Sequence, residues 1–274
     1  MLWLLLLQVL ASCLWLGHSE VVTSFADCPQ FFYEGAPPDA VLEPQNPAWI
    51  CQRYSNAYQY ATLYDRDRRI PVYSAYKYQP KSDKIHDPWW FVEPQLIDKS
   101  SLKDMERESV LIEQQEFTLD QIKQSQAVLE DYNQLIGLDR GHLSPSGHQD
   151  SRESKTATFT LTNIVPQDRS LNNGKWSVYE FKTMAIKSKG CTTTYVITGA
   201  VPGNNYVAQG RVNRPSHIWS AACCQKNTIR RTWAVIAENN KNEVQHLTLG
   251  ELEARLSQLY RKGTVSLFHS DCPR

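Results

Sequence analysis

The densest collection of groups able to do chemistry lies between Asp139 and Glu180. It opens with Asp139-Arg140-Gly141-His142 and continues through Thr158-Phe159-Thr160-Leu161-Thr162-Asn163-Ile164-Val165-Pro166-Gln167. Leu171-Asn172-Asn173-Gly174-Lys175-Trp176 and Glu180 close it. An imidazole titrates near neutrality, so His142 can be neutral at physiological pH and take a proton from water. Arg140 can meet an anion, Asp139 can hold the loop or orient the ring, and Gly141 permits a tight backbone between them.

A lone histidine is more often a packed loop residue than a base, and the downstream amides change that weighing. Asn172 falls at or near the start of a helix that also carries Lys175, Trp176, Tyr179 and Glu180. On an ideal α-helix, Asn172 and Glu180 would lie about 80° apart around the axis and about 12 Å apart along it. Side chains lean toward the helix N-terminus, so Glu180 can point back, through water, at whatever Asn172 holds. An amide oxygen plus a carboxylate acting through water suits a hard ion that keeps its hydration, Mg²⁺ rather than Zn²⁺, with Mn²⁺ as a substitute. A neutral base opposite such an ion describes phosphodiester hydrolysis.

These blocks, in this order, resemble the DNA/RNA non-specific endonucleases with a ββα-metal finger. Within that family they look most like the endonuclease domain-containing 1 group. Further agreement comes from Arg69-Ile70-Pro71-Val72-Tyr73-Ser74-Ala75, Asp131-Tyr132, Thr198-Gly199 and Pro215-Ser216-His217-Ile218-Trp219. The resemblance implies His142 as general base, Asn172 as the direct Mg²⁺ ligand and Glu180 as a carboxylate reaching the metal through water. It also implies Arg140 and Asn163 as supporting groups near the phosphate, Asp139 as the structural acid of the motif, and products with a 5′-phosphate and a 3′-hydroxyl. One departure stands out. The bacterial members use an additional upstream arginine near the scissile phosphate, where Tyr78 to Leu102 offers only Lys81, Lys84 and Lys99. A lysine is a point charge without the bidentate fork, so transition-state stabilisation there is weaker.

The elements that must position these groups can be read around them. Tyr60–Tyr64 and Ile70–Tyr76 form a hairpin about a charged turn, with Pro71 placing the second strand at an edge or itself at a strand start. Lys81 to Pro94 reads as loop with Trp89-Trp90-Phe91 packing beneath it. Leu119 to Leu135 reads as a helix with a Thr118/Gln121 capping box. Strands are expected at 194–199, 217–222 and 232–236, and a capped helix from Thr248 to Leu259. Mixed elements without strict βαβ alternation imply an α+β fold, a largely antiparallel central sheet flanked by helices that carries the ββα-metal site.

The 274 residues suit one large domain, and 29 basic residues balance 29 acidic ones, so no global positive field gathers polyanions. Any contact with nucleic acid must then run through local phosphate contacts, since no base-reading module is visible. Residues 1–19 read as a secretory signal peptide cut before Glu20, leaving a single domain over 20–274 that is secreted and holds no membrane segment. Cys13 falls in that leader, and Cys28, Cys51, Cys191, Cys223, Cys224 and Cys272 suit up to three disulfides. The connectivity is open, although the neighbours Cys223 and Cys224 are expected to take different partners.

The remaining polar residues read blandly. His148 and His86 suit solvated loops, His217 a structural position, and Arg66, Arg68 and Arg69 a solvated turn. Lys226, Arg230 and Arg231 suggest a modest phosphate-tracking patch. A different class of function is a secreted binding or immune-interaction protein that keeps the nuclease fold with little turnover. Neutral charge and the absent arginine favour it, whereas His142, Asn172 and Glu180 favour the enzyme.

Overall fold

The structure, a computed structural model, describes residues 20–82, 89–133 and 135–274. The expected leader, Lys84 and His86 therefore lie outside the described residues. In chain order the strands are β1 (Val21–Val22), β2 (Pro47–Tyr54), β3 (Ala57–Asp65), β4 (Ile70–Lys77), β5 (Phe91–Val92), β6 (Glu106–Arg107) and β7 (Leu138–His142). They continue as β8 (Ile164–Asp168), β9 (Thr193–Val201), β10 (Asn205–Val207), β11 (Val212–Arg214), β12 (His217–Lys226), β13 (Ile229–Glu238) and β14 (Gln245–Leu247). Eight of them build one antiparallel sheet in the order β1-β2-β3-β4-β9-β12-β13-β14. The α+β, largely antiparallel expectation holds.

Both faces of the sheet are covered, so its central strands are buried on both sides. One face packs against Phe25, Phe31, Phe32 and Leu42 of the N-terminal turns, the helix Leu249–Tyr260, and Val265 to Phe268. The other packs against Ile164, Val165, Leu171, Trp176 and Tyr179, which belong to the site elements. A row of hydroxyls crosses this second face. Thr62 is in register with Ser74, Ser74 with Thr198, and Thr198 with Ser220, and all four side chains are buried. Thr62 Oγ1 lies 3.0 Å from Ser74 Oγ, and Thr198 Oγ1 lies 2.9 Å from Ser220 Oγ.

The hairpin and the strands expected at 194–199, 217–222 and 232–236 all form, within longer strands. β4 lies inside the sheet, so Pro71 is tolerated as a near-first residue opposite a bulge at Leu63/Tyr64. The Thr118 capping box forms, but its helix spans only Leu119–Ser125. Gln126 ends it by turning extended and using its side chain twice, accepting from Glu93 N at 2.8 Å and donating to Glu93 O at 2.9 Å. A 3₁₀ turn, Leu129–Tyr132, follows in place of further helix. Thr248 caps Leu249–Tyr260 as expected.

The arginines of the Asp65–Arg69 turn are structural rather than merely solvated. Arg66 donates to Leu96 O, Arg68 pairs with Asp65, and Arg69 donates to Lys123 O and Arg211 O. Among the described residues no helix is long and apolar enough to cross a membrane.

The six described cysteines pair as Cys28–Cys51, Cys191–Cys224 and Cys223–Cys272. Successive side chains of a strand point to opposite faces, which is why Cys223 and Cys224 take partners on different faces of the sheet. Cys191 follows the helical run that carries Asn172 and Glu180, so its bridge ties that run's far end to β12. The double variant Cys191→Ser/Cys224→Ser should lose about 2–4 kcal/mol in urea unfolding; a loss within error of zero would show that packing alone holds that end.

Candidate nuclease site

β7 and β8 form a two-stranded hairpin in which Asp139 is opposite Gln167, Gly141 opposite Val165 and His142 opposite Ile164. Gly141 is required by close approach, because a Cβ there would fall 2.0 Å from Gln167 Oε1. The alternating segment expected from Thr158 begins as a turn, Leu161–Asn163, and becomes strand only at Ile164. Directly after β8 a helical run begins at Arg169, three residues before Asn172, because Asp168 caps it by accepting from Ser170 N and Leu171 N. The run reaches Lys187 and is π-helical over Asn172–Trp176 and Tyr179–Thr183, so ideal α-helical spacing does not describe Asn172 and Glu180. Hairpin plus helix is the ββα arrangement.

Asp139 is the clasp between hairpin and helix. Its Oδ1 accepts from Arg169 Nε at 2.9 Å, and its Oδ2 accepts from Asn172 Nδ2 at 3.2 Å and Asn173 Nδ2 at 2.6 Å. Burial pushes this carboxyl up, but the bonds from Arg169, Asn172 and Asn173 outweigh it and hold the carboxyl below its usual range. With its nitrogen committed to Asp139, Asn172 presents Oδ1, which has no hydrogen-bond partner among the described residues. Glu180 accepts from Trp176 Nε1 at 3.1 Å through Oε1. Burial, only partly offset by that bond, pushes the Glu180 carboxyl up to about 8.

The two histidines of the hairpin region differ in one decisive respect. His148 is buried, contrary to a solvated loop position, and both ring nitrogens are engaged: Nδ1 with Tyr76 Oη at 3.0 Å and Nε2 with Glu180 O at 3.0 Å. It braces the helix. His142 makes no hydrogen bond to any described residue. Its Nε2 is sealed, with Trp90 at 5.4 Å and Phe159 at 5.2 Å between ring centroids, while the residue keeps an exposed edge. Burial pulls its pKa down to about 4. Arg140 stacks over the same Trp90 ring at 5.0 Å and donates to Asn133 Oδ1 at 3.4 Å.

Asn163 is held by the protein. Its side chain is buried and spends every hydrogen-bonding site on protein: Oδ1 accepts from Ser74 Oγ and Ser144 N, and Nδ2 donates to Ser144 O and Thr158 O. It positions the chain next to His142. The patch of Lys226, Arg230 and Arg231 is reduced. Arg230 is held by Tyr33 Oη and two carbonyls, and Arg231 by the carbonyls of Lys187 and Lys189. Trp90 and Phe159 were legible only as packing residues, and their place against His142 follows from the turn at Leu161–Asn163.

Hairpin and helix together define a fold of the ββα-metal class. The chain matches the DNA/RNA non-specific endonuclease family over residues 37–270, and it belongs to that family. It is 34% identical over 210 residues to the human (Homo sapiens) endonuclease domain-containing 1 protein, covering 75% of this chain and 40% of that protein. It is 28% identical over 148 residues to the Danio rerio mitochondrial nuclease EXOG, covering 48% of this chain and 43% of the relative. The chain thus spans less than half the length of these relatives. Its fold is similar to EndoG in the crystal structure of the EndoG/EndoGI complex, with a TM-score of 0.52 and 15% identity, over 81% of this chain and 87% of that one.

Asn172 and Glu180 fit a hard divalent cation. One presents an unpaired amide oxygen, and the other is a half-buried carboxyl that no described lysine or arginine neutralises. Because the folded carboxyl is pushed up, its stabilising proton is fully bound below the unfolded value and lost as pH rises toward about 8. In EDTA, Glu180→Gln should therefore melt higher than wild type at pH 8, by about 3 °C or more, with the gap closing toward pH 5. An equal or lower melting temperature at pH 8 would show that the carboxylate is tolerated without a cation.

Proposed function

We propose that this chain is a secreted, Mg²⁺-dependent endonuclease that hydrolyses phosphodiester bonds of DNA or RNA with little base preference. The observation that carries the reading is the contrast between an engaged His148 and an uncommitted His142 ring, on the hairpin whose Asp139 holds the Asn172 amide. A proton on His142 Nε2 sits against aromatic rings, whose π faces accept N–H weakly, and the Nδ1 lone pair is left for water at the open edge. His142 takes the proton of the attacking water as the new P–O bond forms, and the P–O3′ bond breaks to leave a 3′-hydroxyl and a 5′-phosphate. Asn172 would hold the divalent ion, which would supply positive charge to the phosphoryl oxygen and the leaving alkoxide. Arg140, held on Trp90, faces a phosphate oxygen, and Asp139 keeps the Asn172 oxygen pointed outward.

The second reading, a binding or immune-interaction protein with little turnover, draws on one observation: Trp90 and Phe159 seal part of the ring that must act. Plasmid and RNA digestion with Mg²⁺ separates the two. Wild type should cleave, EDTA should abolish cleavage, and His142→Ala and Asn172→Ala should each lose at least about 10²-fold. Cleavage that resists EDTA, or that survives His142→Ala, would refute the chemistry, and folded protein inert with every divalent ion tried would establish the binding role.

The acid limb should reflect the buried ring. Activity needs neutral His142, so it should persist as pH falls and disappear through about 4; a limb near 6.5 would show a solvated base. Expressed in animal cells, the chain should enter the medium with Glu20 as its first residue, and a retained Met1 would overturn secretion.

A further inference from the structure

A second polar cluster lies where the segment before β1 meets β2 and the Glu93 turn. Glu20, Gln52 and Glu93 are all completely buried. Each spends one polar atom on the protein. Glu20 Oε1 accepts from Arg53 N at 3.4 Å, Glu93 Oε1 accepts from Thr160 Oγ1 at 2.6 Å and Thr162 Oγ1 at 2.7 Å, and Gln52 Nε2 donates to Thr162 Oγ1 at 2.9 Å. Each also keeps one buried oxygen with no hydrogen-bond partner: Glu20 Oε2, Glu93 Oε2 and Gln52 Oε1.

All three orphans are acceptors. The Glu20 and Glu93 carboxyls are close enough to interact directly, and burial first, then Glu93, pushes the Glu20 carboxyl well above its ordinary value. Among the described residues no side-chain cation pulls the Glu20 carboxyl down: Arg53 is turned to Asp104 and Asn56, Asp104 adds further negative charge, and Glu20 N, an ammonium once the leader is cut, donates to Gln95 Oε1 at 2.8 Å. One proton shared between the carboxyls would satisfy Glu20 Oε2 and Glu93 Oε2 but leave the Gln52 oxygen bare. A buried unpaired acceptor is costly, whereas a cation satisfies all three. Two carboxylates balance a divalent charge, and an irregular set of oxygens suits Ca²⁺, which accepts flexible geometry, better than Mg²⁺.

We propose that Glu20, Glu93 and Gln52 form a second cation site that takes a Ca²⁺-type hard divalent ion with a structural role. Through Glu93 Oε1 the site holds Thr160 and Thr162, the residues that flank Leu161 and lead into Asn163. The ion therefore braces the turn that sets His142 from a distance. This site does not depend on the nuclease reading.

Ca²⁺ binding to the full chain, stripped with EDTA and held in millimolar Mg²⁺, tests it by equilibrium dialysis alongside thermal melting in Ca²⁺ or EGTA. One Ca²⁺ per chain should bind and should persist in Asn172→Ala, which removes the other candidate ligand. Glu93→Gln and Gln52→Met should each weaken it at least tenfold. At a hundredfold excess over Kd, wild type should melt roughly 5–10 °C higher with Ca²⁺ than with EGTA. Loss of binding in Asn172→Ala, undiminished binding in both cluster variants, or melting indifferent to Ca²⁺ would overturn the site and leave a shared proton in its place. The wild-type comparison holds even if a variant fails to fold.

Discussion

Four buried hydroxyls, Thr62, Ser74, Thr198 and Ser220, set the frame on which the site depends. They sit in one register row across β3, β4, β9 and β12, and each needs a partner because the interior offers no water. Ser74 passes its bond to Asn163, which holds the chain beside His142, and Ser220 receives Tyr179 Oη at 3.0 Å, one residue before Glu180. Hairpin and helix are thereby referred to the same row. A one-residue slip of any of these strands would turn its hydroxyl to the opposite face and leave several acceptors unpaired, so register is locked by cost as well as by apolar pattern.

The site built on that frame is short of positive charge. Burial drives His142 toward its neutral form and Glu180 toward its protonated form, and Asp139 consumes the one arginine in contact with it. Such a centre carries little positive charge of its own, as does a chain whose basic and acidic residues cancel. The same logic extends to Glu20 and Glu93. There, buried oxygens outnumber the donors the protein supplies, a pattern expected where an ion completes the structure.

How much of this could be read from the sequence varies with the kind of information each residue needs. The family and its ββα arrangement were legible because the types and order of Asp139, His142, Asn172 and Glu180 follow the family's motif. Cys223 and Cys224 were legible as residues with separate partners because adjacency itself forbids their bridging. His148 was misjudged because burial decides its role: the same imidazole is solvated when open and structural when saturated. The helix expected over 119–135 stopped early because the Gln126 side chain competes for the Glu93 backbone, a contact 33 residues away that periodicity cannot sense. The hydroxyl row is visible only once four strands are in register.

The aromatic seal over His142 poses a trade-off that magnitudes help to resolve. At pH 7 an unperturbed imidazole is already about three-quarters neutral, so lowering its pKa gains less than a factor of two in usable base. The gain is large only in acid: near pH 5 an ordinary histidine is about 3% neutral and one titrating near 4 about 90%, roughly a thirtyfold difference. Against that stands a weaker base, since a lower pKa reduces the drive to take the proton of water. Trp90 and Phe159 therefore favour a neutral ring across a wide pH range over basicity at neutrality. Arg140 stacks on the same Trp90, so an anion that draws Arg140 away also loosens the cover on the His142 ring.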